Sequence, residues 1–299
     1  MPLSGHSNSC VFFGSGPVAA ESLELLMQHT TIEAVVTKPR PPHHKGDVPV
    51  LELAQRHNLP VVTASTKQEL EQVMSEQSFT SSYAILIDFG IIVSRQVIDY
   101  FPLGIINSHF SLLPHLRGAD PITWAIANGD PKTGVSLMLI DVSLMLIDEG
   151  MDTGKLLTSR VLPIEPTDTT PSLTHKLIQL SDVLLQEYVP PYLAGTLAPK
   201  AQPHPDRATY SRKLTKADGT IDWQEAQVIE QKIRAFHGWP QSRTRLGSVD
   251  VIITKAHVSS SQTPLSVLCG DGNYLAIDFI KPAGKNEMPA EAFLRGYTL

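Results

Sequence analysis

Short apolar runs alternate with stretches of helical periodicity through the first third of the chain, a pattern that few folds accommodate. Cys10–Phe13 (CVFF) reads as a buried strand, and Val18–Gln28 carries Ala19, Leu23 and Leu26 at helical spacing. The pattern continues with strand Ile32–Thr37, helix Leu51–His57, strand Pro60–Val62, helix Lys67–Glu76 and strand Tyr83–Ile87. A short helix over Ser94–Tyr100 then leads into strand Gly104–Asn107. Strands alternating with helices at this spacing predict βαβ units and an α/β, Rossmann-like, mostly parallel sheet. Ligands of such sheets bind beyond the carboxyl ends of the strands, so the residues just after each strand are where chemistry is expected.

The remainder changes character. Thr170–Tyr188 has Leu173, Leu177, Leu180, Leu184 and Leu185 on one stripe and predicts an amphipathic helix. Pro190–Pro205 holds five prolines among small and polar residues, the composition of a linker. One helix (Glu225–Phe236) and strand-like runs at Val249–Thr254, Leu265–Leu268 and Tyr274–Phe279, with a turn at Gly270-Asp271-Gly272, predict a small β-barrel (OB-like) domain. The expected boundaries are 1–189, 190–207 and 208–299. Charge follows this division. From Ala208 onward 11 Lys+Arg face 9 Asp+Glu, a mildly basic end on a chain of net charge −6.

Apolar residues at 42% supply material for a sizeable core, which excludes a disordered chain or a disulfide scaffold. No apolar run reaches the roughly 18–20 residues of a membrane helix, and the N-terminal residues do not order themselves as a secretory signal. Cys10 and Cys269 are the only cysteines, far apart, so neither a metal site nor a disulfide framework is expected, and a reducing cytoplasmic setting fits.

One local feature stands outside this pattern. SLMLID occurs at Ser136–Asp141 and again at Ser143–Asp148, a tandem repeat of seven residues counting Val142. Seven is odd and a strand has a side-chain period of two, so sliding by one unit cannot absorb the insertion without exchanging faces. One copy must hold a strand while the other bulges or lengthens a loop.

Two motifs carry candidate chemistry. Gly14-Ser15-Gly16-Pro17-Val18-Ala19 matches G-x-G-x-x-[GA] after a strand, the phosphate cradle of a nicotinamide enzyme or a plain tight turn. The second strand ends Val36-Thr37-Lys38 without the acid that such a cradle wants, and Pro17 offers no N–H. The richer stretch is Asn107-Ser108-His109-Phe110-Ser111-Leu112-Leu113-Pro114 with Arg117-Gly118 and Pro121. Asn107 and His109 stand two residues apart and project to one side. An amide donor and an imidazole converging there suit a reaction that develops an oxyanion at a carbonyl. Asp152, in the turn Asp152-Thr153-Gly154, follows the next strand and can orient His109; Asp141 and Asp148 are its competitors within the repeat. Without G-x-S-x-G, and with Cys10 inside a strand, direct transfer between two bound substrates is favoured over covalent catalysis.

These residues resemble the formyltransferases that use 10-formyltetrahydrofolate, and among them the branch acting on methionyl-tRNA. The resemblance spans nearly the whole chain. It runs from Phe13-Gly14-Ser15-Gly16 and Asp88-Phe89-Gly90-Ile91-Ile92 to Thr209-Tyr210-Ser211, Ile221-Asp222-Trp223, Trp239-Pro240 and Pro282-Ala283-Gly284-Lys285. It implies an enzyme that moves a formyl group from 10-formyltetrahydrofolate, as co-substrate and without a metal, to the α-amine of methionyl initiator tRNA. It implies that Asn107 and His109 stabilise an oxyanion and that Asp152 tunes the histidine and helps move a proton. By the same resemblance Ser111, Leu112, Leu113 and Pro114 line the folate site with Phe89, Gly90, Ile91 and Ile92. Arg40 and Lys45, in the loop after the second strand, reach tRNA with help from the C-terminal barrel, and the protein acts as a monomer. Deleting one repeat unit restores the family spacing between Asn107 and Asp152, from which the first copy is expected to be displaced and the second to deliver Asp152. Two other readings stand beside this one: a formyltransferase of nucleotide-sugar or other small amines, and a tRNA-binding protein inactivated by the repeat.

Overall fold

The computed structural model describes residues 9–43, 46–140 and 151–297. In chain order the elements are β1 (Ser9–Phe13), α1 (Pro17–Leu26), β2 (Thr31–Thr37), α2 (Pro49–Arg56), β3 (Val61–Thr63), α3 (Lys67–Ser75), β4 (Ala84–Leu86), α4 (Arg95–Asp99) and β5 (Ile105–His109). Then follow β6 (Arg117–Gly118), α5 (Pro121–Ala127), β7 (Lys132–Leu139), β8 (Leu156–Pro163) and α6 (Thr170–Leu193). The main sheet runs β3-β2-β1-β4-β5-β7-β8. It is parallel from β3 to β5, and β7 joins antiparallel. All five residues of β1 are buried, the signature of a parallel strand covered on both faces. Phe13 anchors the core beneath, edge-on to Phe89 at 5.4 Å and Phe101 at 6.0 Å. Local signals agree with the helices: Pro17 opens α1, and Thr66 caps α3 by accepting the Glu69 N–H at 3.2 Å.

The chain divides into two compact units, one of Met1–Arg117, Gly134–Val161 and Lys176–Thr209, the other of Gly118–Thr133, Leu162–His175 and Tyr210–Leu299. In the second, β9 (Tyr210–Ser211) and α7 (Ala226–Ala235) precede β10 (Ser242–Leu246), β11 (Val249–Ser259), β12 (Ser266–Leu268), β13 (Tyr274–Pro282), β14 (Met288–Pro289) and α8 (Ala290–Gly296). Its antiparallel sheet, ordered β10-β11-β13-β12 with β14 on β13, curls around Ile229, Ile233, Ile253, Leu275, Ile280 and Phe293 as a small barrel-like body. The earlier segment Leu162–His175 joins this unit through polar contacts. Thr170 Oγ1 donates to the Ala235 carbonyl at 2.6 Å, and Arg234 Nη1 donates to the Asp168 carbonyl at 2.8 Å. The linker composition from Pro190 begins inside α6, which continues to Leu193.

The structure reverses the expectation for the repeat. The first copy holds the strand: Ser136 pairs with His109, Leu137 with Ser108, Met138 with Asn107 and Leu139 with Ile106. The second copy, Asp148 included, lies outside the described residues, as does Asp141 at the end of the first. Identical copies cannot choose between themselves, so the choice rests on what precedes them. Gly134 precedes the first copy, and a Cβ there would lie 2.1 Å from the Arg160 carbonyl oxygen and 2.5 Å from Leu112 Cδ2. In the alternative frame Asp141 would take this place and drive its Cβ into the backbone of β8.

Candidate active site

β5 brings Asn107 and His109 to the same face at the carboxyl end of the sheet, because their side chains are two residues apart. Ser108 between them points the other way and bonds Ser181 of α6, hydroxyl to hydroxyl at 2.6 Å. That contact holds the strand from behind. Asn107 is half-buried and His109 buried. His109 Nε2 lies 3.0 Å from the Leu116 carbonyl, which can only accept, so this nitrogen carries a proton. Nδ1 stands 3.7 Å from Asp152 Oδ2. That spacing is beyond hydrogen-bond reach and within the reach of an ion pair to a protonated ring. Asp152 sits in the left-handed region at φ 54°. The turn after it is pinned against the end of β7, where a Cβ on Gly154 would fall 1.8 Å from the Leu139 carbonyl oxygen.

The loop after β5 is shaped from within. Ser111 is fully buried, and its hydroxyl donates to the His115 carbonyl at 2.5 Å. Ser136 Oγ donates to the Ser111 carbonyl at 2.7 Å and accepts the Leu113 N–H at 3.1 Å. Leu113 packs with Met138 and Leu156. Of the four residues assigned to a folate wall, Leu112 and Pro114 therefore keep exposed surface, and Ser111 and Leu113 set the loop's shape. In the neighbouring segment Phe89 is buried, Ile91 half-buried and Ile92 59% exposed, a large apolar side chain open at the sheet's carboxyl end. Gly90 adopts φ 66°, and a Cβ there would meet Lys38 Nζ at 2.9 Å.

The Gly14-Ser15-Gly16 turn is filled by protein. Ser15 N–H donates to the Asp88 carbonyl at 3.0 Å, and its hydroxyl donates to the Phe89 carbonyl at 3.0 Å. A Cβ on Gly16 would lie 2.0 Å from Asp88 Oδ2. A carboxylate thus stands where a dinucleotide's phosphates would need donors, which removes the nicotinamide reading. Arg40 is engaged inside its own loop, donating to the Gly46 carbonyl at 2.8 Å and to Glu52 Oε1 at 2.5 Å. The Arg40 hydrogen bond, helped by the Val48 N–H, holds the Glu52 carboxyl below the usual carboxylate range. Lys45 lies outside the described residues. Among the described residues no group of three or more His, Cys, Asp or Glu is placed to hold a metal ion, and no helix is long and apolar enough to cross a membrane.

One residue of this site carries no sequence signal. Gln202, buried in the proline-rich stretch, donates to the Asp152 carbonyl at 2.6 Å and the Gly154 carbonyl at 3.0 Å, and accepts from Arg117 Nη2 at 2.7 Å. A lone glutamine among prolines reads only as linker.

Residues 9–189 match the formyl transferase family, and residues 213–298 match the formyl transferase C-terminal domain. The methionyl-tRNA formyltransferase of Roseiflexus castenholzii is 35% identical over 97% of this chain and 96% of its own length. That of Geobacillus thermodenitrificans is 36% identical over 96% and 93%. Among solved structures, the N-formyltransferase from Helicobacter canadensis in complex with folinic acid and dTDP-3-aminofucose superposes with a TM-score of 0.68 at 20% identity, over 91% of this chain and 99% of that one. HypX from Aquifex aeolicus in complex with tetrahydrofolic acid gives 0.64 at 13% identity, over 97% of this chain and 47% of that one. These structures share the fold, while the two family matches and the relatives settle the membership: this chain belongs to the formyl transferase family.

Proposed function

We propose that the chain transfers the formyl group of 10-formyltetrahydrofolate to the α-amine of methionyl initiator tRNA, with Asn107, His109 and Asp152 as the catalytic group. The observation that carries this reading is the meeting of His109 and Asp152 from separate elements at 3.7 Å, on the face that Asn107 shares. The similarity of nearly the whole chain to methionyl-tRNA formyltransferases supports the acceptor.

The co-substrate supplies a formyl carbon already bonded to nitrogen, so the chemistry is acyl transfer. The amine attacks as the neutral base. As its nitrogen bonds to the formyl carbon, the carbonyl π electrons move onto oxygen. The Asn107 amide N–H and a proton on His109 Nδ1 are the donors for that charge. With Nε2–H held by the Leu116 carbonyl, a second proton on Nδ1 makes the ring an imidazolium, which the Asp152 carboxylate balances. The proton lost by the amine passes to Asp152 and on to the folate nitrogen, whose bond to carbon breaks as the oxyanion's electrons re-form the carbonyl. The exposed Ile92 and the half-exposed Leu112 and Pro114 are apolar side chains with surface to offer a flat ring system. The mildly basic end of the chain favours a polyanionic acceptor.

The test is formyl transfer from a labelled donor to methionyl initiator tRNA, in competition with a nucleotide-linked amino sugar. Label on the tRNA is expected, and label on the sugar alone would overturn the acceptor. Asn107→Ala and His109→Ala are each expected to lower kcat by about 10²–10³, the scale for losing an oxyanion donor. Wild-type turnover in either variant would remove that residue from the chemistry.

A further inference from the structure

We propose that Gln202 is a positioning residue for this reaction, supplied by the segment after α6 and fixing the Asp152 turn at its working distance from His109. The inference rests on the functional reading above. Its observations lie within one compact unit.

Gln202 is 8% exposed in a stretch whose composition predicts a solvated linker. Its carboxamide is fully used. Both donor contacts go to the turn, to the carbonyls of Asp152 at 2.6 Å and Gly154 at 3.0 Å, and its oxygen accepts from Arg117 Nη2 at 2.7 Å. A guanidinium can only donate and a carbonyl can only accept, so the network admits one orientation of the amide. Arg117 is itself buried and follows Leu116, whose carbonyl takes His109 Nε2. Gln202 therefore joins the loop that orients the imidazole to the turn that carries its carboxylate.

The segment around it is anchored at both ends. Lys200 and Leu156 exchange backbone hydrogen bonds of 2.7 and 2.8 Å just beyond the turn. At the other end Thr209 takes the Leu116 N–H on its hydroxyl at 2.8 Å and the Arg117 N–H on its carbonyl at 2.9 Å. On its far side the turn abuts the Leu139 carbonyl through Gly154. Asp152 at φ 54° holds a conformation that an L-residue keeps only when its surroundings over-determine it. Gln202 and the end of β7 are among those surroundings. Reacting groups displaced by about 1 Å can lose about 10²-fold in rate, so a side chain that touches no substrate can still govern kcat.

The experiment measures kcat and KM for formyl transfer in Gln202→Glu, Asp152→Asn and the double variant. Gln202→Glu keeps the length and the Arg117 contact, but turns its other oxygen toward two carbonyl oxygens. The expected result is a kcat about 10–100-fold lower with KM for the formyl donor within about threefold, the signature of a displaced reacting group. In the double variant the glutamate should add no further loss to that of Asp152→Asn, because both act through one carboxylate. Gln202→Met, uncharged and of similar length, is measured beside it and should show the same split, with melting curves confirming that each protein is folded. A folded Gln202 variant with kcat within twofold of wild type, or losses that multiply in the double variant, overturns the proposal. Wild-type turnover in Asp152→Asn instead refutes the functional reading, so the two failures are told apart.

Discussion

Gly134→Ala tests whether the residue before the repeat selects the register. The added Cβ would lie 2.1 Å from the Arg160 carbonyl oxygen and 2.5 Å from Leu112 Cδ2. Ordinary contacts of these kinds are longer by about 1 Å, and the first obstacle is backbone, so β7 and β8 must separate locally. Overpacking of this kind costs roughly 1–3 kcal/mol, and a strained ladder bond adds about 1 kcal/mol, for a total of about 3 kcal/mol. Slipping by one repeat unit gives no escape, because Asp141 would then bring its own Cβ to the same place. Both frames carry the clash in the variant, and the wild-type preference for the first copy disappears.

Urea unfolding followed by circular dichroism reads the loss, and methyl spectra of labelled methionine read the register. Met138 is 3% exposed in wild type and should give one buried signal. Gly134→Ala should give a second set as Met145 competes for the site. A stability change under about 1 kcal/mol together with one set of methionine signals would refute the argument that Gly134 sets the frame.

Removing either repeat unit yields the same shortened chain, with Gly134 still before the strand; it roughly halves the connection from Leu139 to Lys155 and should stabilise the fold by about 0.6 kcal/mol with formyl transfer retained, read by urea midpoint and turnover. Asp218, bonded by Arg212 and by the Thr215 N–H and hydroxyl, has its carboxyl well below the usual range. A depressed folded value contributes stability above the unfolded value near 3.8, so the difference between wild type and Asp218→Asn should be largest above about pH 4 and shrink as pH falls further. Burial pushes the Cys10 thiol up to about 12 from 9.0, so its contribution is complete below pH 9 and lost between pH 9 and 12. At pH 8 a thiol reagent should leave Cys10 untouched until the protein unfolds, and rapid labelling of the folded protein would contradict that burial.

The legible part of this molecule is the part governed by local pattern. Alternation of apolar runs with helical periods is enough for the parallel sheet, since strands buried on both faces read as continuous runs such as Cys10–Phe13. The pairing of Asn107 with His109 follows from a strand's period of two. Asp152 is legible as the candidate acid because it lies in a turn outside the repeated unit. Partners far along the chain are not legible in this way. The hold of Glu52 on Arg40 and the closure of the Ser111 hydroxyl on the His115 carbonyl show no sign in the local sequence. Gln202 draws its meaning from contacts to Arg117, Asp152 and Gly154, none of them near it in the chain.

The repeat isolates the reason. Two identical heptads carry identical propensity, hydrophobicity and pairing potential, so nothing within either can favour it for the place beside β5. The decision must come from the boundary, where Gly134 precedes one copy and Asp141 the other. Even there the difference has no consequence until β8 brings the Arg160 carbonyl to within 2.1 Å of where a Cβ would stand. Register here belongs to a glycine and a carbonyl on neighbouring strands, and it carries through to the site. The same β7 that Gly134 admits ends at Leu139, whose carbonyl backs the turn of Asp152. If the frame slipped, the support behind the carboxylate would be rebuilt from a different set of neighbours, and the 3.7 Å spacing to His109 would lose one of its walls.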